Sequence, residues 1–226
     1  MQRIPEKELM DEDDQARAYA EADFEVPHDY FISLFQEAFP GLAPSGAVVD
    51  LGCGPGDISM RFARRYPGCV VHGVDGSETM LRLGARLVER APELHGRVRL
   101  IHGYLPGPEM PLRKYGALIS NSLLHHLDDP QTLWRAIPDL AEEGAPVFVM
   151  DLMRPSHRDE AARLVDLYMG DEPGILKKDF FNSLLAAYEP DEVRRQLETA
   201  GLGDFILREV SDRHLAVWGI APGGGR

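Results

Sequence analysis

The stretch "VVDLGCGPGD", residues 48–57, carries an apolar run to an acid and then breaks into glycines two apart. Gly52, Gly54 and Gly56 carry no Cβ and can take positive φ, so a ligand can touch bare backbone there. Asp50 closes this run and Asp75 closes the next one, which gives two carboxylates beside the glycines. That combination reads as a nucleoside site. A dinucleotide fingerprint would need a third glycine where this chain has Asp57, and a carboxylate at a helix start repels a pyrophosphate. A ligand with a positive centre and no phosphate carries no such penalty, and a sulfonium nucleoside fits. A second group, His125, His126, Asp128 and Asp129, has the residue types of a metal cluster. Adjacent histidines leave a turn in different directions, however, and no Glu or Cys completes a regular ligand spacing, so no metal is expected.

These residues need strands that end together. Apolar runs at 47–51, 69–74, 98–102, 115–120 and 146–150 alternate with amphipathic stretches at 58–66, 77–90 and 131–142. Alternation of this kind means a parallel sheet with helices on both faces, whose ligands sit at the carboxyl ends of the strands. Phe31, Leu34, Phe35 and Phe39 recur at helical spacing ahead of the first strand. After Asp151 the rhythm changes: two helical stretches, 158–169 and 178–187, follow one another around "DEPG". A last helix at 189–200 leads to a strand pair, 205–210 and 214–220, around the tight "SDR" turn, so the final strand is expected to be antiparallel. The expected fold is α/β, a Rossmann-like, seven-stranded, mostly parallel sheet with a small helical lid inserted after the fifth strand. Residues 1–26 are expected to be an acidic, mobile leader or lid, 27–221 the domain with 154–188 capping the site, and 222–226 a flexible tail.

Composition narrows the partners. The 226 residues carry 24 Lys and Arg against 37 Asp and Glu, a formal net charge of −13, so the average surface field repels phosphate backbones and anionic lipid. No Lys/Arg-rich run with interleaved aromatics is present, which argues against nucleic acid. Two Cys, no signal peptide and no long apolar run lead us to expect a reduced cytoplasmic protein, not bound to membrane, as a monomer or homodimer.

With these motifs in order the chain resembles the class I S-adenosylmethionine-dependent methyltransferases. "DLGCGPG" at 50–56 is similar to the family's first motif, whose backbone holds the methionine part of the cofactor. "GVDGSETML" at 73–81 is similar to the second. There the resemblance implies Asp75 on the ribose hydroxyls, Met80 against adenine, and Gly76 and Ser77 in the cofactor-binding set. "LISNSLLHHLDDP" at 118–130 resembles the segment in which Asn121 and Ser122 line the sulfonium, and "YEPDEVRRQLETAGL" at 188–202 the helix before the closing strand pair. One place departs: where the family has Gly-Asp-Ala, this chain has Gly103-Tyr104-Leu105. The Tyr104 phenol can accept one bond or lie on the adenine, and the Leu105 backbone remains available.

The resemblance also implies that His125 looks into the pocket, as general base or in positioning substrate. Tyr19 falls where relatives carry a lid segment. Asp151 and Arg154 follow the fifth strand and so lie on the ligand edge, paired with each other or contacting substrate. Among the inserted helices, Asn182 is a candidate substrate contact, while Tyr168, Phe180 and Phe181 read as core. The function implied is methyl transfer from S-adenosylmethionine to a small molecule, leaving S-adenosylhomocysteine. The alternatives are a tRNA-modifying enzyme, transfer of another group from a modified cofactor, and a nucleoside-binding protein without turnover.

Overall fold

The computed structural model describes residues 1–6, 18, 19, 25–105, 107, 111 and 114–223. In chain order the elements are α1 (Glu25–Ala38), β1 (Gly46–Leu51), α2 (Asp57–Arg65), β2 (Cys69–Asp75), α3 (Glu78–Glu89), β3 (Val98–His102), β4 (Ala117–Asn121), α4 (Gln131–Leu140), β5 (Pro146–Leu152), α5 (Arg158–Tyr168), α6 (Gly174–Ala186), α7 (Pro190–Thr199), β6 (Ile206–Glu209) and β7 (His214–Ile220). They form one seven-stranded sheet in the order β3-β2-β1-β4-β5-β7-β6. Its first five strands are parallel and β7 runs antiparallel to both neighbours, as expected from the tight turn before it. Strand order reverses between β1 and β4, and this switch point opens a crevice at their carboxyl ends.

Alternation along each strand assigns side chains to two faces. Val48, Ile119, Phe148 and Ala216 meet Phe31 and Phe35 of α1 and Phe62 of α2, with Phe35 edge-on to Phe62 at 5.0 Å. On the other face Val49, Leu118, Val147 and Val217 meet Leu133 and Trp134 of α4 and Val193 and Leu197 of α7. The Trp134 indole donates to Gln196 at 2.9 Å, so this large buried ring leaves no polar atom unpaired. Truncating either Phe35 or Trp134 to Ala would cost about 3–5 kcal/mol.

The inserted helices α5 and α6 make a third cluster, Ala161, Leu164, Val165, Leu184 and Leu185, on Leu152 at the end of β5. Met1–Glu6, expected as part of a mobile leader, belongs to this unit. Ile4 N–H donates to the Leu185 carbonyl at 3.0 Å, and Arg3 donates to the carbonyls of Ala186, His125 and Leu127. The Arg3 guanidinium also lies 4.2 Å over the Tyr188 ring. A charged segment can be held firmly when its charges find carbonyls and a ring that the fold leaves open. Apart from Ala18 and Tyr19, residues 7–24 of that leader lie outside the described residues. No helix among the described residues is long and apolar enough to cross a membrane.

Candidate active site

At the carboxyl end of β1 the chain turns away from the sheet through Gly52, Gly54 and Gly56, all left-handed, with φ of 70°, 53° and 83°. The Gly52 and Cys53 N–H groups donate to the Val74 carbonyl, which ties the loop to β2. A Cβ on Gly54 would meet nothing within 4 Å, so its bare backbone faces open space. Behind the loop, a Cβ on Gly84 of α3 would sit 2.3 Å from the Pro55 carbonyl oxygen, so α3 packs directly on the loop. The Asp75 carboxylate joins the two: Oδ2 accepts from Gly54 N and Oδ1 from Ser77 N, both at 2.8 Å. Ser77 in turn caps α3 by accepting from Met80 N.

These groups line a cavity of about 670 Å³ that runs from the loop to the inserted helices. Asp50 reaches its wall with a buried carboxylate: Oδ2 accepts from Ser59 Oγ at 2.6 Å, while Oδ1 has no hydrogen-bond partner among the described residues. Burial pushes Asp50 up to about 7, against the pull of the Ser59 bond and with help from Asp75. Asn121 Oδ1, at the end of β4, is likewise buried without a partner on the same wall. Two orphan acceptors beside a bare loop suit a cationic ligand that brings its own donors. Next to Asn121, Ser122 holds φ at 57°, a left-handed conformation that a non-glycine residue rarely adopts and that clusters at functional sites. Asp57 occupies the start of α2, held down by His28 and Arg61 against its burial, so that helix terminus already carries the protein's own anion. Gly76, Met80, Tyr104 and Leu105 also border the cavity; Met80 is buried, whereas Tyr104 is half exposed with its ring edge-on to His102.

Beyond Asn121 the short turn Leu124–His126 aims His125 into the cavity. Its Nδ1 lies 2.5 Å from Asp151 Oδ1, and Asp151 is itself buried and bonded to Leu152 N. His125 Nε2 lies 3.5 Å from Glu6, and His126 Nδ1 lies 3.4 Å from the same oxygen. Burial pulls the His125 pKa down, but Asp151 and Glu6 outweigh it and the net shift is upward. Asp151 stays low because His125 more than offsets its burial. The expected divergence of the two histidines is corrected here: their ring centroids lie 4.2 Å apart, tilted by 36°, and Glu6 joins them in a group whose ligating atoms all lie within 4.8 Å. Glu6 comes from the opposite end of the chain, where no local spacing could signal it.

Tyr19 borders the cavity, its phenol pushed up to about 12 by burial and by Asp57, Asp75 and Asp151. Two expected assignments change. Arg154 neither pairs with Asp151 nor reaches the cavity: it is buried against Glu189, Glu192 and the Ala187 carbonyl, clasping the start of α7. Asn182 lies on α6 beside the wall, whereas Asp179, Phe180 and Ser183 of that helix form it. Tyr168 and Phe180, read as core, also line the cavity, because α5 and α6 bury their Leu and Ala faces and turn these aromatics toward the sheet edge.

Residues 48–144 match the family described as "Methyltransferase domain". An uncharacterized methyltransferase of Mycobacterium tuberculosis is 32% identical over 175 residues, 76% of this chain and 85% of that one. A trans-aconitate 2-methyltransferase of Delftia acidovorans is 33% identical over 124 residues, 55% of this chain and 43% of that protein. The structure of an O-methyltransferase family protein from Burkholderia thailandensis superposes with a TM-score of 0.69 at 18% identity, over 93% of this chain and 60% of that one, a likeness of fold. The sheet order, the glycine loop with its orphan acceptors and the near full-length relative agree: the chain belongs to the class I S-adenosylmethionine-dependent methyltransferases.

Proposed function

We propose that this methyltransferase acts on a hydroxyl group of a small molecule held between the sheet edge and helices α5 and α6. The observation that carries this reading is the buried His125–Asp151 pair on the cavity wall, past the glycine loop. In this reading Asp75, Met80, Tyr104 and Leu105 hold the nucleoside of S-adenosylmethionine, with Gly76 and Ser77 beside them. Asp50, the glycine loop, Asn121 and Ser122 hold its methionine end. When bound, the cofactor supplies an electrophilic methyl group on sulfur.

The protein's part is approach geometry, exclusion of water and custody of one proton. With the cofactor bound, methyl transfer to the acceptor oxygen would set the hydroxyl proton free, and His125 Nε2 is placed to take it. Asp151 holds Nδ1–H and so leaves Nε2 as the basic nitrogen, and its charge stabilises the imidazolium that forms. The Glu6 carboxylate near Nε2 favours that same cation. A cavity of about 670 Å³ roofed by α5 and α6 admits the cofactor with a small acceptor, and the net charge of −13 disfavours tRNA.

The test is S-adenosylhomocysteine formation by the full chain with pools of hydroxylated, amine and thiol metabolites, and separately with total tRNA. Turnover with hydroxylated molecules that falls at least a hundredfold in His125→Asn supports the reading. Turnover confined to tRNA, or unchanged in His125→Asn, overturns it.

A further inference from the structure

Arg213 is a cavity-wall residue that the cofactor does not account for. It precedes β7, and its carbonyl accepts from Met153 N at 2.7 Å, which fixes its backbone just past the end of β5. The guanidinium carbon lies 3.3 Å from the centre of the Tyr168 ring, a stacked arrangement that fixes the plane of the group. Nη1 donates to Asp212 at 3.1 Å, and among the described residues no acceptor meets Nε or Nη2. With its side chain only 18% exposed, those donors are largely removed from bulk water.

Arg213 shares the one carboxylate it is bonded to. Asp212 also accepts from the Tyr168 hydroxyl at 2.8 Å and is held low by Arg213 and Arg163, so one carboxylate stands against two guanidiniums. His214, the neighbour on the wall, is buried and neutral and adds no competing charge. In the β5–β7 ladder His214 pairs with Leu152 and Leu215 with Asp151, so Arg213 enters the strand beside the end of β5 that carries the partner of His125. Glu172 and Asp179 also line the cavity.

We propose that Arg213 is the acceptor's anchor, and that the acceptor is a small hydroxy acid whose carboxylate takes the free edge of the guanidinium while its hydroxyl faces His125. This rests on the reading that a small acceptor fills the cavity. A planar fork with two unpaired donors matches a carboxylate geometrically. Tyr168 supplies the flat surface that keeps the fork in position.

Benzoate and its neutral isostere benzamide are the probes, titrated against the full chain saturated with S-adenosylhomocysteine. Benzoate is expected to bind at least tenfold more tightly, as the loss of charge-assisted bonds predicts. Arg213→Met, which keeps an apolar contact with Tyr168, is expected to abolish that preference, and Arg213→Lys to restore part of it. An unchanged affinity of each variant for S-adenosylhomocysteine reports an intact fold. Equal binding of the two probes, no binding of benzoate at about 10 mM, where even a Kd near 1 mM would saturate the site, or a preference that survives in Arg213→Met overturns the proposal. These outcomes are separable from failure of the small-acceptor reading, which is scored by turnover on metabolites against tRNA.

Discussion

Asp50 makes cofactor affinity depend on pH in a way that can be worked out. Its carboxyl is buried, raised to about 7, and presents one unpaired oxygen to the cavity. A cation beside that oxygen requires the ionised form, so binding carries the cost of deprotonation. At pH 7 about half of the free protein is ionised, a twofold weakening; at pH 6 about one-tenth is, and each further unit costs another factor of ten, or about 1.4 kcal/mol. Above pH ~8 the amino group of the ligand itself loses its proton, so affinity falls again. Calorimetry with S-adenosylhomocysteine from pH 5.5 to 9, in two buffers of different ionisation enthalpy, should therefore show a Kd minimum between about pH 7 and 8. Near pH 7 Asp50 should release about half a proton on binding. Asp50→Asn should remove the acid limb and weaken binding at the optimum by about tenfold. A carboxyl raised in the folded state adds stability below its ordinary value near 4 and loses it as pH rises through 7, so Asp50→Asn should raise the Tm of the cofactor-free protein at pH 8. A wild-type Kd that is flat from pH 5.5 to 7, or an acid limb that persists in Asp50→Asn, would refute the reasoning.

Three other perturbations follow from the same contacts. With His125 raised by Asp151 and Glu6, kcat should climb through an ionisation above the ordinary imidazole value; Glu6→Gln should move that limb to lower pH, and a limb that stays put removes Glu6 from the site's electrostatics. Deleting Met1–Glu6 removes Arg3 from the His125 and Leu127 carbonyls, so turnover should drop at least tenfold while circular dichroism and cofactor affinity hold; full activity would show that this segment plays no part in catalysis. Gly84→Ala forces a methyl group against the Pro55 carbonyl, which cannot retreat without moving the glycine loop. Thermal unfolding should register a loss of about 1–3 kcal/mol, accompanied by weaker cofactor binding, and a neutral variant would mean that α3 is not seated on the loop.

The parts legible in sequence are those whose signals are local. Gly52, Gly54 and Gly56 with Asp50 and Asp75 announced a loop and two acids because strand ends and turns leave short, dense patterns. The antiparallel β7 was legible from a three-residue turn, and the inserted helices from a break in alternation. Arg154 was misread because its position after β5 indicates only an edge; that it turns away to Glu189 and Glu192 depends on where α7 begins, which the bridge between Met153 and Tyr188 decides. Tyr168 was misread because an aromatic on an amphipathic helix looks the same whether its apolar neighbour is core or cavity, whereas Phe180 packs on the Leu164 and Leu184 cluster as expected and borders the cavity as well. Glu6 carried no signal at all, since an acid among acids is indistinguishable until the fold lays that segment across His125 and Ser183.

The cavity concentrates negative charge for a physical reason. Asp50, Asp57 and Asp75 line the cavity, and Asp151 and Glu6 flank the His125 on its wall, a gathering that by repulsion and desolvation alone should destabilise the fold. Each is compensated differently. Asp57 has Arg61 and His28, Asp151 has His125, and Asp75 has two backbone donors, so these three are balanced within the protein. Asp50 is balanced by holding its proton, a state that a bound cation reverses. Glu6 shares the two histidines and is raised by its own burial, so its charge follows the protonation of His125. The two carboxylates left without a fixed counter-ion are thus the one on the methionine side of the proposed cofactor site and the one beside the proposed base. A cation arriving at the first, and a proton arriving at His125 during transfer, both relieve electrostatic strain that the folded chain already carries. On this account the site is most stable when loaded, and under the proposed mechanism its carboxylates favour the imidazolium that proton transfer to His125 would create.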